Sequence, residues 1–220
     1  MKFTAVAFDL DGTLYTNFSL YIRLVPFLLK EQRLLRAFDK ARTRLRNSGA
    51  YAGDFYELQA RIMGEILGEP MEKIRERTER LIYRGWEPFF KKIRLFPYVR
   101  ETLDSFRREG IAMGLLSDFP PETKLENLGI SGYWNAVVCS EQTGRLKPDP
   151  ASFLELANRM GTPPEDILYV GNSVSYDVAG AGRAGMKTAL VNSIWKIRPP
   201  FHKPDFTFYD YRQLYNYVLS

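Results

Sequence analysis

Two carboxylates stand two residues apart in the segment Asp9-Leu10-Asp11-Gly12-Thr13, directly after an apolar stretch. At about 5–7% background usage for each residue type, a chance match to its four fixed positions somewhere in a chain of this length has odds of about one in several hundred. A carboxylate can act as a nucleophile toward phosphorus, and a second one nearby can protonate a leaving oxygen and then activate water. We therefore expect Asp9 to be the nucleophile, Asp11 to transfer the proton, and Gly12 to allow a tight turn and close approach to phosphate.

The elements that must position these carboxylates follow from hydrophobic periodicity. A strand is predicted over 2–10, and the block 19–84 is predicted to be helical, with breaks at 47–49 and 68–70. Beyond these, helices are predicted at 98–108, 121–128, 151–160 and 175–184, and strands at 111–116, 136–139, 167–170 and 188–191. Such alternation predicts an α/β fold, a Rossmann-like parallel sheet with helices on both faces.

The helical block makes the predicted organisation bipartite. Residues 1–16 and 90–220 are expected to form the Rossmann-like catalytic core, and 17–89 to form an inserted all-α subdomain. An aromatic-rich C-terminal tail is expected to dock on the core. In open parallel sheets the ligand crevice lies outside the carboxyl ends of the strands. Strand ends deliver Asp9, Asp11, Ser117 and the segment 171–177, and Lys147 lies in a strand-to-helix loop, so all should converge on one crevice.

These segments resemble the motifs of the haloacid dehalogenase superfamily and follow in its order. Ser117 ends an apolar strand, Lys147 lies in Leu-Lys-Pro-Asp-Pro, and Gly171-Asn172-Ser173-Val174-Ser175-Tyr176-Asp177 closes the series. The resemblance covers essentially the whole chain. It implies a hydrolase of phosphate monoesters, acting on a small phosphorylated molecule, with the helical block as a cap over the active site.

Phosphoryl transfer requires mainly positioning and charge neutralisation. Ser117 would donate a hydrogen bond to a phosphate oxygen, and Lys147 would balance the charge of Asp9 and of the phosphoryl group. The expected phosphate site is completed by Gly12, Thr13 and Asp118. The leaving group must be recognised by the cap, where Tyr51 in the loop 47–53 is the candidate contact.

A divalent cation is expected because the negative charges of Asp9 and of the phosphate repel each other. An aspartate about 4 Å from a phosphate dianion feels roughly 4 kcal/mol of repulsion per charge pair at an effective dielectric constant of 20, which one lysine offsets only in part. Oxygen ligands favour a hard cation such as Mg²⁺. The resemblance implies that Asp9, the Asp11 carbonyl, Asn172 and Asp177 form the metal site. Phosphatases of the family usually have an aspartate where this chain has Asn172, so weaker metal binding is expected.

Three alternatives stay open at this point. Haloacid dehalogenation uses an aspartate nucleophile without a metal, but the halide leaves without protonation, and Asp11 argues against it. A phosphomutase shares the motifs. A non-catalytic ligand-binding protein of the same fold is favoured by Asn172. Serine or cysteine hydrolysis has no support, because the single Cys139 is expected to be buried and the single His202 lies in a Pro-rich stretch without a nucleophile motif.

Composition limits the partners. A formal net charge of +5 and a pI near 9.2 favour anionic ligands. No recognisable nucleic-acid module is present, and no apolar run approaches the roughly 20 residues that span a bilayer, so we predict a cytoplasmic protein without nucleic-acid or membrane partners. Substrate identity and oligomeric state stay open. An amphipathic helix carries a basic, solvated face that could also attract a phosphorylated substrate, formed by Arg33, Arg36, Lys40 and Arg44.

Overall fold

The sheet is the part of the fold that positions the site. The computed structural model describes residues 3–16, 30–49, 53–192 and 203–220. Within these ranges a six-stranded, all-parallel sheet has the spatial order β3-β2-β1-β4-β5-β6. Its strands are β1 (Ala5–Phe8), β2 (Ala112–Ser117), β3 (Ala136–Cys139), β4 (Ile167–Gly171), β5 (Lys187–Val191) and β6 (Phe206–Phe208). The predicted Rossmann-like parallel sheet is confirmed, and its strand order reverses at β1, which lies between β2 and β4.

The central strand β1 is buried along its whole length, as a strand covered on both faces should be. Its register aligns Phe8 with Leu115 of β2 and with Val170 of β4. The residues that follow these three positions therefore emerge at the same edge of the sheet. This register brings the segments after β1, β2 and β4 together, as the sequence predicted.

Helices cover the sheet and fill the connections. They are α1 (Gln32–Asn47), α2 (Phe55–Leu67), α3 (Met71–Thr78), α4 (Glu87–Phe90), α5 (Val99–Arg108), α6 (Glu122–Leu128), α7 (Pro150–Met160), α8 (Ala179–Arg183) and α9 (Tyr211–Leu219). Short 3₁₀ turns lie at Ser131–Tyr133 and Pro164–Asp166, and π-helical turns lie at Glu79–Tyr83 and Val174–Val178. The helix predicted at 175–184 is therefore a π-helical turn followed by a short α-helix. No helix among the described residues is long and apolar enough to span a membrane.

The C-terminal tail docks on the core, as predicted, but with regular structure that the sequence pattern did not reveal. Strand β6 pairs with β5 and extends the sheet. Helix α9 begins with a capping box formed by Asp210 and Gln213. Tyr211 is buried in the core, and its hydroxyl donates to the Thr13 carbonyl, 2.6 Å away. The tail thus supports the loop that follows β1.

The helices α1, α2 and α3 and the π-helical turn Glu79–Tyr83, which we call the helical insertion, share a hydrophobic cluster separate from the sheet's own clusters. The cluster consists of Leu34, Ala37, Phe38, Ala41, Ala60, Met63, Ile74 and Ile82. Phe90 and Ile93, just beyond the insertion, pack instead in the main cluster of the sheet. The predicted helix breaks at 47–49 and 68–70 coincide with the ends of α1 and α2. The exact boundaries of a separate subdomain stay a prediction.

A buried charge network joins the insertion to the sheet. The predicted basic face of α1 is exposed, but Arg42 lies on the opposite side, with 4% of its side chain exposed. It forms an ion pair with the fully buried Glu141 and lies 3.7 Å from Asp118. Arg46 forms a second ion pair with Asp118 at 2.8 Å. Burial opposes the charge of Arg42, yet Glu141 and Asp118 keep the pKa of Arg42 above its usual value.

We predict that Arg42→Met lowers the free energy of unfolding by about 3–5 kcal/mol, because Glu141 is left as an uncompensated buried charge. The double variant Arg42→Met/Glu141→Leu should recover much of this loss, since it removes both charges. Arg44→Met is the control: Arg44 and Glu65 pair with about 60% of each side chain exposed, so its cost should stay under about 1 kcal/mol. Urea unfolding measures all three, and equal costs for Arg42→Met and Arg44→Met would contradict the network's role.

Candidate active site

Asp9 lies immediately after β1 and is 6% exposed. Its N–H donates to the Val170 carbonyl at 2.9 Å and so continues the β1–β4 ladder. One carboxylate oxygen, Oδ1, accepts from Lys147 Nζ at 2.7 Å, and the other, Oδ2, accepts from Thr13 Oγ1 at 2.6 Å. Burial raises the pKa of Asp9 to about 7 in spite of Lys147, which lowers it. The sequence placed Asp9 correctly at the strand end, and its carboxylate is oriented from both sides.

The turn after Asp9 depends on Gly12, whose φ of 83° lies in the left-handed region. The N–H groups of Thr13 and Leu14 both donate to the Leu10 carbonyl, at 3.3 and 3.1 Å. This compact turn brings the Thr13 hydroxyl back to Asp9. The expected tight turn is therefore present, with Thr13 as a partner of the candidate nucleophile.

The Lys147 side chain bridges Asp9, which follows β1, and Asp177, which follows β4. Its Nζ lies 2.7 Å from Asp9 Oδ1 and 2.8 Å from Asp177 Oδ1. Asp177 Oδ2 accepts the N–H groups of Asn172 and Ser173 at 3.1 and 3.0 Å. A Cβ on Gly171 would lie 2.3 Å from the Cβ of Asp177, so this close turn requires glycine. The structure brings Lys147 and Asp177 together with Asp9, the candidate nucleophile.

Asp11 lines a cavity of about 780 Å³, whose other lining residues come from the helical insertion and from the segments around Phe90 and Phe119. Both of its carboxylate oxygens lie within 2.8 Å of Lys124 Nζ, and the Tyr15 hydroxyl also donates to Oδ1. The sequence pattern did not single out Lys124 or Tyr15. Lys124 lies 113 residues from Asp11 in the chain, so local spacing carries no information about their contact.

Ser117 is the last residue of β2, and Asp118, which follows the strand, lies in a different environment. The Ser117 hydroxyl is fully buried and accepts the Phe119 N–H at 3.2 Å. The Asp118 carboxylate accepts the Ser140 hydroxyl at 2.6 Å and pairs with Arg46. Burial raises the pKa of Asp118, but Lys147, Arg42 and Arg46 lower it to about 2. An anionic carboxylate held in this way would repel phosphate, and the predicted phosphate contact of Asp118 stays a prediction.

Asn172 lies beside Asp11 at the reversal point of the sheet. Its Nδ2 donates to the Asp11 carbonyl at 3.1 Å, and a half-turn of the carboxamide would place its oxygen there instead. Among the described residues no group of three or more His, Cys, Asp or Glu side chains could hold a metal. The oxygens that the resemblance implies as ligands are the Asp9 carboxylate, the Asp11 carbonyl and the Asn172 carboxamide, and oxygen donors of this kind suit a hard cation that retains several waters. Cys139 is buried, as expected, whereas Tyr51 and His202 lie outside the described residues.

Comparisons with known proteins relate this chain to one family of hydrolases. Residues 3–185 match the family model of haloacid dehalogenase-like hydrolases. The glyceraldehyde 3-phosphate phosphatase of Methanopyrus kandleri is 30% identical over 202 residues, which cover 85% of this chain and 83% of the relative. A phosphatase of the haloacid dehalogenase type from Thermococcus onnurineus superposes with a TM-score of 0.67 at 25% identity, over 98% and 97% of the two chains. A 2-haloacid dehalogenase from Pseudomonas syringae has a TM-score of 0.69 at 24% identity over 99% and 98%, a likeness of fold alone.

We predict that Lys147→Met lowers the free energy of unfolding by about 3–5 kcal/mol at pH 8, because two buried carboxylates lose their cation. The pKa of Asp9, already raised to about 7, should rise further. A carboxyl whose pKa is raised by folding stabilises the native state at low pH and loses that contribution as pH increases. The cost should therefore be smaller at pH 5. Urea unfolding at both pH values, with the exposed Lys92→Met as control, measures it; a pH-independent cost would contradict the charge argument.

Proposed function

The chain belongs to the haloacid dehalogenase-like hydrolase family, and we propose that it hydrolyses phosphate monoesters through a covalent phosphoryl group on Asp9. The observation that carries the proposal is the buried Asp9 carboxylate, held between Lys147 and Thr13, with Asp11 two residues on and facing a large cavity. The phosphatase named in Methanopyrus kandleri supports the same reaction class.

In the first step, Asp9 attacks phosphorus, an Asp9–phosphorus bond forms, and the bond from phosphorus to the alcohol oxygen breaks. The attack needs the ionised carboxylate. Lys147 favours this form against the burial that raises the pKa of Asp9. The buried Ser117 hydroxyl and the main-chain N–H groups of the turn hold the phosphoryl oxygens. Asp11 gives its proton to the departing alcohol, which leaves into the cavity.

In the second step, water attacks the phosphoryl group on Asp9, and Asp11 takes the proton from that water. The Asp9–phosphorus bond breaks and inorganic phosphate leaves. Lys124 and Tyr15 are positioning residues for this step, since their contacts with both Asp11 oxygens hold the carboxylate at the floor of the cavity. A proton donor and acceptor in a fixed place shortens the path of the proton to both oxygens.

Mg²⁺ would be held by the Asp9 carboxylate, the Asp11 carbonyl and the Asn172 carboxamide. When bound, it supplies positive charge that offsets the repulsion between Asp9 and the phosphoryl oxygens. We assign Asp177 to the orientation of Lys147 and of the turn after β4 and not to the metal. Its oxygens accept hydrogen bonds from Lys147 Nζ and from the N–H groups of Asn172 and Ser173. The helical insertion, with residues 17–89 as its proposed extent, serves as the cap over the ester. Dehalogenation has less support, because a halide leaves without protonation and therefore does not need Asp11 or the two residues that position it.

The nucleophile is tested by Asp9→Asn. The amide nearly preserves the shape but cannot readily form an acyl phosphate, so hydrolysis of p-nitrophenyl phosphate with Mg²⁺ should fall by at least about 100-fold. Asp39→Asn, on the exposed side of α1, is the matched control and should leave turnover unchanged. Activity of Asp9→Asn within tenfold of the parent protein would remove Asp9 from the proposed role.

The metal site is tested by Asn172→Asp. An anionic oxygen should replace a neutral one, so the Mg²⁺ concentration at half-maximal activity should fall by about tenfold or more. Activity is measured against Mg²⁺ concentration for both proteins after treatment with a chelator. Full activity in excess chelator would refute the metal requirement. Unchanged half-saturation would show that residue 172 does not contact the ion.

A further inference from the structure

The cavity that Asp11 faces is larger than the phosphoryl site requires. Its volume of about 780 Å³ is within the roughly 300–1,000 Å³ typical of pockets for drug-sized ligands. A three-carbon phosphate ester would leave most of this space to water. The cavity therefore has room for an alcohol of considerably greater size than the phosphoryl group.

One wall of the cavity is aromatic. Tyr56 and Tyr83 of the insertion meet edge to face with centroids 5.4 Å apart, and Tyr83 lies 6.4 Å from Phe119. Phe119 is stacked on Phe38 and is therefore held in place from behind. Its own N–H donates to Ser117 Oγ, so the ring wall begins next to the phosphoryl site. Adjacent fixed rings favour a planar, ring-bearing guest.

A buried acceptor lies in the same wall. Gln59 is 2% exposed and lines the cavity, and its Nε2 donates to the Tyr83 hydroxyl at 3.2 Å. Its Oε1 is buried and accepts no hydrogen bond from the residues that the structure describes. A buried acceptor without a partner is unfavourable. An N–H or O–H group on the guest would satisfy it.

The charges of the lining do not favour a second anionic group. Three cations, Arg75, Arg84 and Lys124, line the described part of the cavity together with four carboxylates, Asp11, Glu79, Glu87 and Glu122. Each of the three cations is paired with a carboxylate: Lys124 with Asp11 at 2.7 Å, Arg84 with Glu79 at 2.9 Å and Arg75 with Glu57 at 3.4 Å. A guest carboxylate would break a pair or face the acidic excess.

We propose that the substrate's alcohol carries an uncharged heteroaromatic ring with a ring N–H or amino donor, as a nucleoside does. The ring stacks on the wall of Phe119, Tyr83 and Tyr56, and its donor reaches Gln59 Oε1. The assignment of this alcohol as a leaving group rests on the proposed phosphatase function. Short anionic esters such as phosphoglycolate are then poor substrates.

The first experiment compares kcat/KM, with saturating Mg²⁺, for adenosine and cytidine 5′-monophosphates against phosphoglycolate and glyceraldehyde 3-phosphate. The nucleotides should be at least about tenfold better, because the cavity contacts only the larger alcohol. A preference for the three-carbon or two-carbon ester would overturn the proposal. It would leave the phosphatase function intact.

The second experiment uses Gln59→Leu, which at similar volume removes the acceptor and also the Nε2 donor to the Tyr83 hydroxyl. Its kcat/KM for adenosine 5′-monophosphate should fall about tenfold, the order of one hydrogen bond. Its kcat/KM for p-nitrophenyl phosphate, whose ring carries no donor, should fall by a clearly smaller factor, which reports the loss of the Tyr83 contact alone. Gln32→Leu is the matched control, since Gln32 is exposed at the start of α1. An equal effect of Gln59→Leu on both esters would refute the role of Gln59.

A binding measurement tests the proposed ligand of the cavity independently of hydrolysis. Calorimetric titration of the parent protein with adenosine, without Mg²⁺ or phosphate, should show saturable binding that glycolate does not show and that Gln59→Leu weakens. Such binding without hydrolysis of any ester would support the ligand class and refute the phosphatase function. Hydrolysis of p-nitrophenyl phosphate without adenosine binding would refute the ligand class alone.

Discussion

Three buried charges at the carboxyl ends of β1 and β4 set the conditions for the rest of the structure. Lys147 lies within 2.8 Å of both Asp9 and Asp177, and none of the three is more than 6% exposed. Two carboxylates in a dry site are costly to ionise together unless a cation lies between them. The loop after β3 must therefore bring Lys147 to this point, and the turn after β4 must be tight enough, at Gly171, for Asp177 to reach it.

The same loop is tied to the helical insertion. Arg46 of α1 donates to the Lys147 carbonyl at 3.0 Å and pairs with Asp118, while the Lys147 N–H donates to the other oxygen of Asp118 at 3.2 Å. Helix α1, part of the proposed cap, thus also holds the backbone of Lys147, whose side chain contacts the proposed nucleophile Asp9. A displacement of α1 would disturb both, so in the proposed reaction the covering of the ester and the orientation of Asp9 are physically linked.

The proposed reaction divides the ester between two surfaces. The strand ends handle the phosphoryl group, which every phosphate ester shares, and the insertion together with the segment after β2 surrounds the alcohol. Asp11 belongs to both, because its carbonyl faces Asn172 at the phosphoryl side and its carboxylate faces the cavity. Membership of the family therefore bears on the reaction, whereas the paired charges and rings of the lining bear on which alcohol is accepted.

The sequence by itself determined the parallel sheet, the helical block and the order of the strand ends, because hydrophobic period and strand-end polarity are local properties. It placed Asp9, Ser117, Lys147 and Asp177 at one edge, since parallel strands end together. It could not show that Arg42 and Arg46, which lie outside the basic face of α1, meet Glu141 and Asp118, nor that Lys124 pairs with Asp11. Those partners lie 72 to 113 residues apart, so only the packed tertiary structure, in which burial makes each charge require a partner, decided them.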